Sequence, residues 1–174
     1  MAVLDVLKMG NPLLRKTSIA VGNELHTLDF QKAIDAMIDT MRFTNGVGIA
    51  APQVGILKRV FLMENFENPR YPEKNSFPLY IAINPEIEVL DDTLVDSWEG
   101  CLSIPAIRGK LKRCKSVVLK AIDRDGNPFQ ETLEGFASIV AQHELDHLNG
   151  ILLIDRMDSM ETLTFQEEYE KYWI

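Results

Sequence analysis

Cysteines are scarce in this chain and long apolar runs are missing, and each absence narrows what it can be. Cys101 and Cys114 are the only cysteines. Two thiols do not make the disulfide framework of a small secreted scaffold. The pattern fits a reducing compartment and leaves each cysteine to be core filler, reactive thiol or metal ligand. No stretch approaches the ~18 apolar residues a membrane-spanning helix needs. Residues Met1 to Lys8 show no basic stretch followed by a long apolar core, so the expectation is a cytoplasmic protein without a signal peptide. Positive charge is in short supply as well. Eighteen Lys and Arg against 26 Asp and Glu leave a formal net charge of -8, which argues against sequence-independent nucleic-acid binding. The Gly-rich stretch Gly46–Gly55 lacks the Gly-Lys-Ser/Thr ending of a phosphate loop, so that reading is weak.

What is present suits one domain spanning residues 1–174. The chain is 46% hydrophobic and 25% charged, an ordinary globular balance with room for a sizeable core. Pro12 opens a short helix at Leu13–Arg15. Phe30, Ala33, Ile34, Met37, Ile38 and Met41 recur at three- and four-residue steps, predicting a helix over 28–43 capped by Thr27 or Asp29. Strands are expected at 59–64, 79–84 and 87–90, the last two broken at Pro85, and further strands at 94–98 and 116–122. Residues 65–78, with three prolines, read as a long surface loop. Asp123–Pro128 is a hairpin turn and 129–133 the returning strand. A helix over 135–149 with Gly150 as its stop follows. Residues 151–157 read as a short strand, and 159–172 as an acidic, aromatic surface helix.

Chemistry concentrates in Gln142-His143-Glu144-Leu145-Asp146-His147. On a helix, residues four apart lie about 40° apart around the axis and ~6 Å along it. Both imidazoles then reach one ion with Glu144 beside them, the H-E-x-x-H arrangement of a hydrolytic metal site. A tetrahedral site needs a third protein ligand. Cys101, in Glu99-Gly100-Cys101-Leu102-Ser103, can supply a thiolate, although a lone cysteine is commonly a small buried hydrophobe. Cys101, His143 and His147 together leave a fourth position for water, the plan of a catalytic centre. Phe136, Ile139 and Val140 share an arc of roughly 100° with the two histidines, so they are pocket wall, core, or both. Pro52 stiffens the backbone before Gln53, whose amide either donates into a site or lies exposed on a turn. Cys114 reads as structural. The basic run Lys110, Lys112, Arg113 and Lys115 is a solvated face or a docking patch for an RNA-rich partner.

Three ordered segments, Gly46-Val47-Gly48-Ile49-Ala50-Ala51-Pro52-Gln53, then Glu99–Ser103, then His143–His147, resemble the motifs of the peptide deformylases, and the resemblance covers essentially the whole chain. It implies an α+β fold, with antiparallel β-sheets around a central metal-binding helix flanked by an N-terminal and a C-terminal helix. It implies removal of the formyl group from N-formylmethionyl nascent chains, releasing formate. The metal would be held by Cys101, His143 and His147, usually as Fe²⁺, with Zn²⁺, Ni²⁺ or Co²⁺ able to replace it. Glu144 would move the water proton, while the Gln53 side chain and Leu102 N–H would face the oxyanion. Gly48 and Gly100 would admit substrate backbone, and Val47, Phe136, Ile139 and Val140 would line the methionine pocket. Glu99 or Asp146 would orient a ligating histidine, with Arg113 as ion-pair partner. Implied partners are the nascent peptide and the ribosome near its exit, with no membrane.

Two other readings are open. An H-E-x-x-H zinc peptidase would take a downstream ligand such as Glu161, Glu167, Glu168 or Glu170. A non-enzymatic binding module would use the metal only for stability.

Overall fold

The computed structural model describes residues 2–66, 68–71 and 73–174. Among the described residues, three α-helices and six strands carry the fold: α1 (Leu28–Phe43), β1 (Gly48–Ala50), β2 (Val60–Asn65), β3 (Phe77–Cys101), β4 (Ile104–Ile122), β5 (Pro128–Glu134), α2 (Gly135–Leu148), β6 (Thr164–Phe165) and α3 (Gln166–Tyr172). The strands pair antiparallel in the order β1-β2-β3-β4-β5, with β6 added to β4. This is one continuous ladder rather than separate sheets.

Helix α1 forms where the apolar periodicity placed it. The Thr27 hydroxyl accepts from Phe30 N–H, and Ile34, Met37 and Met41 are buried on the inner face. Helix α2 is not one-sided. Ser138, Val140, Ala141, His143, Glu144, Asp146, His147 and Leu148 are all buried, because the helix packs against each of β1 to β5. A helix buried round most of its circumference belongs inside a core. The Gln142 side chain moors it: Cys114 N–H donates to Gln142 Oε1 at 3.0 Å, and Gln142 Nε2 donates to the Cys114 carbonyl at 2.9 Å. Cys114 is a free thiol packed beside the core, as the structural reading expects.

Several expected boundaries differ. The strands at 79–84, 87–90 and 94–98 are one strand, β3, and Pro85 does not break it. Pairing shifts between Ile83 and Glu86, so the proline sits in a bulge where no ladder N–H is required. Asn84 takes the left-handed conformation there, at φ 51°. Its side chain accepts from Val21 N–H and donates to the Val21 carbonyl. Residues 151–157 are not a strand. Leu153–Arg156 form a short 3₁₀ turn in which Asp155 Oδ2 accepts from Leu152 N–H at 2.7 Å. Leu152 and Leu153 bury themselves against Leu14, Ile104 and Leu111 without pairing to a strand edge. The C-terminal helix is shorter than expected, preceded by a turn at Met160–Thr162 and by β6. Part of the expected loop at 65–78 lies outside the described residues.

Candidate metal centre

Cys101 ends β3, and Leu102 and Ser103 form the two-residue turn before β4. Alternation along β3 puts Glu99 and Cys101 on the same face. Both are buried facing α2, which brings His143 and His147 to meet them. Ligand atoms of Cys101, His143 and His147 all lie within 4.8 Å of one another, and all three residues are buried. Cys101 Sγ is 3.2 Å from His147 Nε2. A tetrahedral ion with ordinary bond lengths would hold a sulfur and a nitrogen ligand about 3.5 Å apart. Cys101, His143 and His147 therefore fit a single divalent ion.

The two histidines differ in what holds them. His143 Nδ1 meets Glu99 Oε2 at 2.8 Å, which orients the ring and leaves Nε2 for a ligand. His147 Nδ1 is buried without a hydrogen-bond partner among the described residues. Behind Glu99 stands Arg113. Its Nε and Nη2 donate to the two Glu99 oxygens at 2.8 and 2.9 Å, and its Nη1 to Asp146 Oδ2 at 2.6 Å. Arg156 reaches Asp146 from the surface at 2.6 Å. Glu99 is the carboxylate that orients a histidine. Asp146 instead anchors the two arginines.

Electrostatics follow the geometry. Burial alone would raise the Glu99 pKa, but hydrogen bonds from Arg113 and His143 bring it down to about 2. Burial also disfavours the Cys101 thiolate, yet the adjacent imidazoles hold its pKa well below the ordinary thiol range. His143 is pushed well up against burial by Cys101 and Glu99. Glu144 behaves oppositely. Burial lifts it to about 7 despite the two histidines, and its Oε2 has no hydrogen-bond partner among the described residues. A carboxyl poised near neutrality beside three metal-type ligands suits general acid–base work.

A cavity opens beside these groups. Val47, Gly48, Gly100, Phe136, Ile139 and Val140 line it, together with Gln53, Leu102 and Glu144. All the residues expected at the site thus gather in one place. The glycines have a use beyond admitting substrate. A side chain at Gly48 would collide with the Glu144 carboxylate, and one at Gly100 would come within 3.0 Å of the Arg108 guanidinium. Gln53 is buried rather than exposed on a turn. Arg70, Tyr71 and Trp98 also line the cavity and were not anticipated. Tyr71 sits in the loop whose sequence carries no motif. Trp98 lies one position before the Cys segment and shares the Gly100 face of β3.

The basic run divides. Arg113 is 5% exposed in the ion-pair cluster, so it is neither a solvated face nor part of a docking patch. Lys110, Lys112 and Lys115 lie against Asp96, Asp158 and Asp91. The downstream glutamates do not join the metal group: among the described residues it comprises Cys101, His143 and His147.

Comparison with known proteins agrees. A family model described as polypeptide deformylase matches residues 3–163. A peptide deformylase of Leptospira biflexa is 42% identical over 172 residues, covering 98% of this chain and 96% of the relative. A peptide deformylase 2 of Nostoc sp. is 40% identical over 97% of this chain and 94% of its own length. Among solved structures, the Met-Ala-Ser-bound class I type b peptide deformylase of Acinetobacter baumannii matches with a TM-score of 0.86 and 40% identity, covering 90% of this chain and 99% of that one. The peptide deformylase of Thermotoga maritima matches at 0.80 and 38%, covering 91% and 100%.

Proposed function

The chain belongs to the polypeptide deformylase family, and from that premise we propose which of its residues carry each step. The activity is that of a metallo-hydrolase: it removes the N-formyl group from formylmethionyl chains and releases formate. The observation that carries the residue assignment is the meeting of one thiol and two imidazoles within 4.8 Å, with the buried Glu144 carboxyl beside them.

Cys101, His143 and His147 would hold the ion. Bound there, it would supply Lewis-acid stabilisation of the formyl oxygen and make water acidic enough to attack near neutral pH. The remaining steps fall to the chain. Glu144 accepts a proton from the attacking water as oxygen adds to the formyl carbon. Gln53 Nε2–H and Leu102 N–H donate to the developing oxyanion. When the C–N bond breaks, Glu144 returns the proton to the departing amine, giving formate and a free amino terminus. Val47, Phe136, Ile139 and Val140 enclose the methionine side chain, and Gly48 and Gly100 keep the cavity walls low beside the substrate backbone.

The finer expectations belong to the same proposal. Fe²⁺ is the proposed cellular ion, with Zn²⁺, Ni²⁺ or Co²⁺ able to occupy the same mixed sulfur and imidazole set. Residues 1–174 form one catalytic domain with sheet strands around α2, supported by that helix's contacts with five strands. The location is the cytoplasm, and the substrate brings the protein close to the ribosome exit. No helix of the described residues is long and apolar enough to cross a membrane.

Formate release from formyl-Met-Ala-Ser, set against cleavage of an internal peptide bond, tests the assignment. Formate alone is expected. Cleavage of the internal bond would instead favour the peptidase reading.

A further inference from the structure

The two proposed oxyanion donors sit on short turns, and one stretch of backbone crosses both. Leu7 N–H donates to the Gln53 carbonyl at 2.8 Å, and Met9 N–H to the Ser103 carbonyl at 2.8 Å. Between them, Lys8 Nζ donates to the Leu102 carbonyl at 3.0 Å. The same stretch is fixed at both ends. Leu4 N–H donates to Thr40 Oγ1 on α1 at 2.9 Å, and Ser18 N–H to the Leu148 carbonyl at the end of α2 at 2.8 Å. Residues 4–18 therefore act as a strap joining α1, the Gln53 turn, the Cys101 turn and the metal helix.

Ser103 is where the strap meets the chemistry. It is fully buried, at 0% exposure, and it does not line the cavity. Its hydroxyl accepts from Gln53 Nε2 at 3.2 Å. The other end of that carboxamide is also held, since Gln53 Oε1 accepts from Ala50 N–H at 2.8 Å. This second contact settles which end of the amide is oxygen. A planar amide fixed at its oxygen and at one N–H has the direction of its other N–H determined. Gln53 Nε2 also lies 3.6 Å from Cys101 Sγ, so the remaining hydrogen faces the metal group.

We propose that Ser103 is a positioning residue: its hydroxyl, secured by Lys8 and Met9 across the Leu102–Ser103 turn, aims the Gln53 carboxamide at the reacting carbonyl. The inference rests on Gln53 being an oxyanion donor. Removing the hydroxyl leaves the carboxamide held at its oxygen by Ala50 N–H but no longer at the N–H turned away from the metal group, which loses pre-organisation without removing a contact to substrate.

The test is a double-mutant cycle on the metal-loaded enzyme with formyl-Met-Ala-Ser. Ser103→Ala is expected to lower kcat about tenfold, with KM and bound metal per chain unchanged. In a Gln53→Ala background the same change should cost nothing further. Lys8→Met, at the surface, should lower kcat about threefold and should likewise have no effect once Gln53 is gone. It carries the test if Ser103→Ala does not fold. A Gln53→Ala loss of about 10²-fold combined with unchanged kcat in Ser103→Ala and Lys8→Met overturns the inference alone. So does an equal loss with and without Gln53, or a loss that resides in KM or metal content. Full kcat in Gln53→Ala overturns the donor role and the inference with it.

Discussion

The two sides of the metal group are built in opposite ways. On the β4 side, charge is answered at every step: His143 by Glu99, Glu99 by Arg113, Arg113 by Asp146, Asp146 by Arg156. On the cavity side, the Glu144 Oε2 atom is buried with no hydrogen-bond partner among the described residues. A saturated network holds geometry, because each member fixes its neighbour. An unsaturated group keeps the capacity to take up a proton or a ligand. The difference separates scaffold from chemistry within a few ångströms.

Side-chain removal should cost the two sides different things. Glu144→Ala should lower kcat by about 10³- to 10⁴-fold while one metal per chain and the fold persist, read by formate release, elemental analysis and circular dichroism. Arg113→Met should do the reverse. It strands Glu99 and Asp146 as buried charges, and should destabilise the fold by about 3–5 kcal/mol, read by chemical denaturation. If Arg113→Met kept full stability, the claim that this side is structural would fail. Phe136→Ala sharpens the boundary between the two sides. Its ring lines the cavity and sits 5.0 Å from Tyr71, so it should lower kcat/KM for formylmethionyl substrates by roughly ten- to hundredfold, with stability less affected than in Arg113→Met. The smallest effect concerns the surface. Replacing Lys110, Lys112 and Lys115 with alanine should weaken the proposed ribosome association only about twofold, because each lysine already faces a carboxylate and exposed pairs contribute little. Unchanged sedimentation with ribosomes would remove that contact from the account.

The same contrast explains what was legible beforehand. Local patterns were readable: the 3.6-residue period of α1, the glycine after α2, and the four-residue spacing of His143 and His147. Most of the cavity side is readable too, because Val47, Gly48, Gln53, Gly100, Leu102 and Glu144 lie within compact motifs; Arg70, Tyr71 and Trp98 lie outside them and are not. The β4 side is legible only through the family resemblance, which names Glu99 or Asp146 with Arg113 as ion-pair partner, because its links are long-range. From local pattern alone Arg113 is one cation in a basic run. Its partners lie 14 and 33 residues away in sequence, and only antiparallel pairing of β3 with β4 under α2 brings them together. Residues 151–157 misled for a similar reason. Ile151-Leu152-Leu153-Ile154 has the composition of a strand, yet Leu152 and Leu153 bury themselves against Leu14, Ile104 and Leu111, and Asp155 closes a turn instead. Pro85 reads as a break until the register shift beside it is known.

The proposed chemistry requires Cys101, His143 and His147 to grip one cation. Anaerobic purification followed by elemental analysis and formate assay, on the wild-type chain and on Cys101→Ala, tests it most directly. The expected result is one divalent ion per chain with formate release for the wild type, and loss of both for the variant. A Cys101→Ala protein that retained a full ion and released formate at the wild-type rate would contradict it.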